Sequence, residues 1–150
     1  MKRSFSFIMV LALLMGIIML PGHALESEIF RETETIFVEG IGYLEIETVI
    51  TRAPVFTRSG VGYDKSISVR NSGRIIATVT LDASFGYDGS RAWVNSASAT
   101  HSTNSGWSYG GESISKSGGT VTLTATLSKP LYNDIPVSIS ITCSPSGVIS

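Results

Sequence analysis

The feature that most constrains this chain is a period of two in its apolar residues. From Thr120 to Ser128, Val121, Leu123, Ala125 and Leu127 alternate with Thr120, Thr122, Thr124, Thr126 and Ser128. From Val137 to Cys143, Val137, Ile139, Ile141 and Cys143 alternate with Ser138, Ser140 and Thr142. A third run sets Val79, Leu81, Ala83, Phe85 and Tyr87 against Thr78, Thr80, Asp82, Ser84 and Gly86. Successive strand residues point to opposite faces, so this spacing hides one face of a sheet and wets the other. Ile67 with Val69 is a shorter instance. Ile36 with Val38 and Leu44 with Ile46 mark two N-terminal strands with weaker phasing.

Turn-forming residues separate these runs. Asp88-Gly89, between strand-like stretches, is a strong hairpin signal, because a type I′ turn needs positive φ that Asp and Gly tolerate. A two-residue turn there places Phe85 opposite Ala92, Ala83 opposite Val94, Leu81 opposite Ser96, and Trp93 opposite Ser84. Asn71-Ser72-Gly73 and Ser117-Gly118-Gly119 read as two further tight turns, and Lys129 to Ile135 as a longer loop. About eight strands joined mostly by hairpins result, with one face buried. The expectation is an all-β, immunoglobulin-like antiparallel β-sandwich. The two long central strands should bend or bulge, with Gly86 a natural place. Between Ser96 and Ser128, 15 of 33 residues are Ser or Thr. They sit out of phase with the apolar set, so they read as a solvated sheet face.

Before the alternating region the chain reads differently. Lys2 and Arg3 precede an apolar run of 14 residues, Phe7 to Leu20, and then Pro21-Gly22-His23-Ala24. A basic start, a short apolar centre and small residues at −3 and −1 are the layout of a cleavable secretory signal. A membrane-spanning helix needs about 20 apolar residues. Residues 1–24 are therefore expected to be a signal peptide and 25–150 a single domain. Secretion follows, with the product extracellular or loosely associated with the cell wall, and not on a membrane after cleavage. No sorting motif follows Cys143.

Twelve acidic residues follow position 24, against nine basic ones once Lys2 and Arg3 are removed, a net charge of −3. Residues 25–50 carry seven Glu and one Arg. That balance excludes a nucleic-acid binder, which needs a basic face. The acidic segment reads as a solvated face, with pairing to later basic residues as the alternative. One cysteine, Cys143, allows no internal disulfide, so the apolar core must stabilise the domain alone. In phase with three β-branched residues, Cys143 reads as a buried thiol acting as a small hydrophobe. An intermolecular pairing would require the strand end to fray. The absence of any Asn-x-Ser/Thr sequon and of disulfides fits bacterial export.

Tyr87-Asp88-Gly89-Ser90, Trp107-Ser108-Tyr109, Ser115-Lys116-Ser117-Gly118-Gly119 and the ending from Ser140 to Ser150 resemble a loose group of short exported proteins of Gram-positive Firmicutes. The resemblance spans roughly Ile75 to Ser150. That group has no established function, and the resemblance carries over no site residues.

Chemistry-bearing residues are sparse. His101 is the single histidine after position 24, with no nucleophile elbow to make it part of a triad, and reads as a surface residue at a strand end. One His and one Cys without clustered carboxylates fall short of metal-ligand sets. Asp88 and Asn133-Asp134 have oxygen ligands suited to calcium but are better explained by their turns. No cofactor and no catalytic residue is expected. The aromatic residues stand out: Trp93 on an outward face beside Arg91 and Asn95, and Trp107 with Tyr109 sharing a face of the next strand. An exposed row of Trp93, Trp107 and Tyr109 could stack on sugar rings or anchor a protein. The alternative is that these rings are covered by packing. The functional expectation is a secreted, non-enzymatic β-sandwich that binds an extracellular protein or glycan. The alternative is a self-assembling structural protein or secreted effector pairing through an open edge strand. A hydrolase is the least supported class.

Overall fold

The computed structural model of the chain describes residues 28–53 and 60–150. The expected signal peptide and its cut lie outside the described residues. Eight strands and no helix form among them: β1 (Glu28–Val38), β2 (Gly42–Ala53), β3 (Gly60–Asn71), β4 (Arg74–Tyr87), β5 (Ala92–Thr103), β6 (Ser108–Ser117), β7 (Thr120–Ser128) and β8 (Ile135–Thr142). They build two antiparallel sheets, β1-β2-β3-β4-β5 and β6-β7-β8.

Within each sheet every strand pairs only with its neighbours in sequence. The immunoglobulin pattern differs, since it interleaves strands between its sheets through Greek-key connections. The described strands form two successive meanders instead. The physical reason lies in the loops. Ser72-Gly73 (φ +49° and +78°) joins β3 to β4 in the left-handed conformation of a type I′ turn. Gly118-Gly119 joins β6 to β7. Links this short can reach only an adjacent antiparallel strand.

The alternation does what its period requires. Val121, Leu123, Leu127 and Ile141 are fully buried, and Ile139 nearly so. They share one core with Val79, Leu81, Phe85, Val69 and Leu44 of the larger sheet. Each large aliphatic side chain so buried contributes about 1.5–3 kcal/mol relative to exposure. On the outer faces, hydroxyls pair across strands: Ser66 with Thr80 (2.7 Å), Ser68 with Thr78 (3.2 Å), Thr120 with Thr142 (3.0 Å) and Thr122 with Ser140 (3.1 Å). These pairs place hydroxyl residues of both sheets on partly wet faces.

The β4–β5 hairpin departs from expectation. Its loop is Asp88 to Arg91, four residues rather than two. The Asp88 carboxylate accepts the amides of Ser90 and Arg91, both at 2.9 Å, and the Asp88 amide donates to the Arg91 carbonyl at 3.1 Å. Phe85 therefore faces Val94, not Ala92, and Trp93 faces Gly86, not Ser84. A bulge follows, with Ser84 opposite Ser96, so Asn95 is the extra residue. The bulge shifts the parity of β5, placing Ala97 opposite Ala83 and Ala99 opposite Leu81. Without it, Ser96 and Ser98 would face the core.

The edges are handled locally. After β8 the chain turns back, with Thr142 and Ser150 exchanging two backbone hydrogen bonds of 2.9 Å. Cys143, 3% exposed, donates its amide to Gly119 at 2.8 Å. Gly119 has to be glycine there, since a Cβ would stand 2.4 Å from the Cys143 carbonyl oxygen. Lys65 occupies an inward position of β3, in phase with Tyr63 and Ile67, and its ammonium donates to the Ser140 carbonyl of β8 at 2.9 Å. That bond joins the sheets on one side and occupies an edge acceptor. On the other side, Val94 of β5 donates to Gly118 at 3.2 Å.

Candidate functional site

A meander of hairpins sorts its connections by end. The β1–β2, β3–β4 and β7–β8 connections and the β5–β6 crossing lie at one end of the molecule. The β4–β5 and β6–β7 turns lie at the other, with the C-terminal turn, where Gly89 donates to Pro145 at 3.0 Å. The first end holds a cleft of about 500 Å³.

Four loops build this cleft. Ile41 comes from the β1–β2 turn, Ser72 from the β3–β4 turn with Asn71 and Arg74 on the strand ends that flank it, and Ser105 with Trp107 from the β5–β6 crossing. Lys129 and Tyr132 come from the β7–β8 loop. The crossing is held down by the Asn104 amide on the Ile76 carbonyl (2.8 Å) and the Trp107 amide on the Asn104 carbonyl (3.1 Å). The β7–β8 loop is tied to the β1–β2 turn by the Asn133 side-chain amide, which donates to the Glu39 carbonyl at 2.8 Å.

Within the cleft the Trp107 and Tyr132 rings stand 6.1 Å apart at 43°. Trp107 is 8% exposed and Tyr132 44%, so one forms floor and the other wall. The Lys129 ammonium lies 5.0 Å from the Tyr132 ring centre and 5.9 Å from that of Trp107. A cation held against two aromatic faces is positioned without being neutralised. Arg74 also lines the cleft, and no carboxylate does. Among the described residues neither Arg74 nor Lys129 forms an ion pair. The three non-glycine residues with positive φ among the described residues are Ser72, Ser105 and Leu131 (+49°, +58° and +70°). All three lie in the loops around this cleft. Backbone held in sparsely populated conformations concentrates at functional sites.

No protein-family model, curated protein or solved structure matches the chain.

The expected patch of Trp93, Trp107 and Tyr109 is not one surface. Trp93 faces Gly86, near the β4–β5 turn, whereas Trp107 sits beside Ile76 at the other end of β4. The Trp93 ring lies over Gly86, where a Cβ would come within 2.4 Å of it, and its indole N–H donates to Asn95 at 2.9 Å. Arg91 lies 5.8 Å from the same ring. Trp93 thus fills the gap left by a glycine in the facing strand. Tyr109 is half-buried, stacked on His101 at 3.9 Å and 16°, with its hydroxyl donating to Glu112 at 2.8 Å. Of the three, only Trp107 lines the cleft.

Other candidates resolve into local structure. Asp88 binds its own turn and the Arg91 guanidinium, and those hydrogen bonds hold its carboxyl below the usual range. No cluster of three or more His, Cys, Asp and Glu that could hold a metal ion occurs among the described residues. Of the N-terminal acidic residues, Glu47 pairs with Arg70 at 3.3 Å and with Arg31, which lowers its pKa. Glu32, Glu34, Glu39 and Glu45 are exposed. The sequence alone does not single out Arg74, Lys129 or Tyr132: Arg74 reads as the start of a strand, and Lys129 and Tyr132 as part of a loop. The available signal was topological: in a chain of hairpins, alternate connections share an end.

Proposed function

We propose that this chain is a secreted, non-enzymatic binding module and that the loop-lined cleft is its binding site. The arrangement of Lys129 against Trp107 and Tyr132, with Arg74 lining the same cleft, carries the reading. Concave sites lined by aromatic side chains and a few placed polar groups are the usual form of ligand sites, and about 300–1,000 Å³ is their usual size. Export rests on the three-part layout of residues 1–24, and origin in a Gram-positive cell on the resemblance over the C-terminal half. The domain is immunoglobulin-like in having two layers around one core, with loops at one end carrying recognition, rather than in strand order.

The experiment is to express the whole chain in a secreting host and recover it from the medium. N-terminal sequencing should begin at Leu25. The recovered protein is then sedimented with isolated cell-wall material and with insoluble polysaccharide. The wild type and Trp93→Phe should be retained, and the double variant Lys129→Ala/Tyr132→Ala should stay in solution with unchanged circular dichroism. Equal retention of all three would discard the cleft as the site. A product still carrying residues 1–24 would discard secretion by cleavage.

A further inference from the structure

We infer that the cleft takes an acidic saccharide, a sugar ring bearing a carboxylate or sulfate, with Lys129 and Arg74 receiving the anion and Tyr132 the ring face. This rests on the cleft being the binding site and goes further by naming what fills it.

Charge is the first support. The chain has 12 acidic and 11 basic residues, so a pocket with two cations and no lining carboxylate does not follow from its composition. The neighbouring acidic residues of the same loops, Glu39 and Asp134, are exposed and do not line it. The Lys129 ammonium lies 5.0 and 5.9 Å from two ring centres, a placement that favours a cation at the cleft before any anion arrives. Binding to a pre-positioned group avoids much of the ordering cost of a flexible lysine.

The remaining walls argue for a sugar rather than a bare anion. Small ions would gain nothing from the half-exposed Tyr132 or from Ile41. A pyranose offers Tyr132 a C–H face and offers Asn71, Ser72 and Ser105 its hydroxyls. An amide and two hydroxyls can both donate and accept, as sugar hydroxyls require. About 500 Å³ holds one or two such rings. Leu131, fully exposed at the lip, would touch the next unit of a longer chain.

The test uses the secreted protein carrying Trp93→Phe, which leaves Trp107 as the single tryptophan and therefore as a reporter inside the cleft. The probes are oligogalacturonate, its fully methyl-esterified form, a sulfated galactan oligomer, and vesicles of anionic phospholipid. At least one acidic oligomer should shift Trp107 fluorescence saturably, and added salt should weaken it. The esterified form should bind about tenfold or more weakly, as befits loss of a charge-assisted contact. Lys129→Gln and Arg74→Gln should each bring the acidic oligomer toward that level. Equal binding of acidic and esterified oligomers, or binding undiminished in the Lys129→Gln/Arg74→Gln protein, would overturn the acidic ligand. Binding of vesicles but of no oligosaccharide would overturn the sugar. If no probe bound while the wild type still sedimented with cell-wall material and the Lys129→Ala/Tyr132→Ala variant did not, the inference would fall and the binding site would stand.

Discussion

At the scale of single residues, chemistry here is set by what each side chain leans on. Tyr109 is the clearest case. Its phenol is pushed up from 10 to about 12, first by burial, then by its hydrogen bond to Glu112, then by the Glu112 charge. All three favour the protonated phenol in the folded state. A folded pKa above the unfolded one means the stabilisation is whole below pH 10 and fades as pH rises from 10 to 12. Urea unfolding across that window should show the wild type losing more stability than Tyr109→Phe, although the variant starts lower at neutral pH. Parallel losses would show that Tyr109 is not coupled to folding. Cys143 follows similar reasoning, since burial raises its thiol pKa and keeps it in the unreactive form. The sequence made that thiol legible through its phase with Ile139 and Ile141. Trp107 was not legible in this way. It precedes β6, and only the folded crossing shows that it turns into the core.

At the scale of elements, the sheet edges carry the main consequence. β1 pairs with β2 on one side and has no strand on its other side among the described residues. An open edge of this kind invites self-pairing, and inward-pointing charge is a recognised defence. Glu32 and Glu34 share the face of Ile36 and Val38, and stand opposite Thr48 and Ile46. In an antiparallel pair of β1 strands centred on Thr33, each would meet the other's copy, and like charges directly opposite are destabilising. The variant Glu32→Thr/Glu34→Val should therefore associate at concentrations where the wild type is monomeric, as sedimentation velocity would show. A wild type that already self-associates would reverse this reading and favour assembly through the edge. The β5 bulge was also written in the sequence, in the change from Ala92 and Val94 to Ala97 and Ala99. What concealed it was the Asp88-Gly89 pair, whose hairpin signal suits a two-residue turn. The Asp88 carboxylate instead captures two amides and opens the loop to four.

At the scale of the whole molecule, the two sheets depend on one core and should not come apart separately. Leu123 is fully buried in the middle strand of the smaller sheet, so Leu123→Ala should cost about 2–5 kcal/mol. Far-ultraviolet circular dichroism and Trp107 fluorescence should still report one coincident transition in urea, because Trp107 belongs to the same core. Two separated transitions would mean that the sheets are independent. The sequence by itself determined that the described chain is strands, which of their faces is dry, and where most of them turn. Those properties depend on side-chain period and on local backbone preference, which act over a few residues. Tertiary structure decided the strand order, the parity of β5 and the identity of the site. Arg74, Trp107, Lys129 and Tyr132 lie in or beside three separate connections. They meet only because hairpin follows hairpin and the two sheets close over a shared core, a condition that no local pattern encodes.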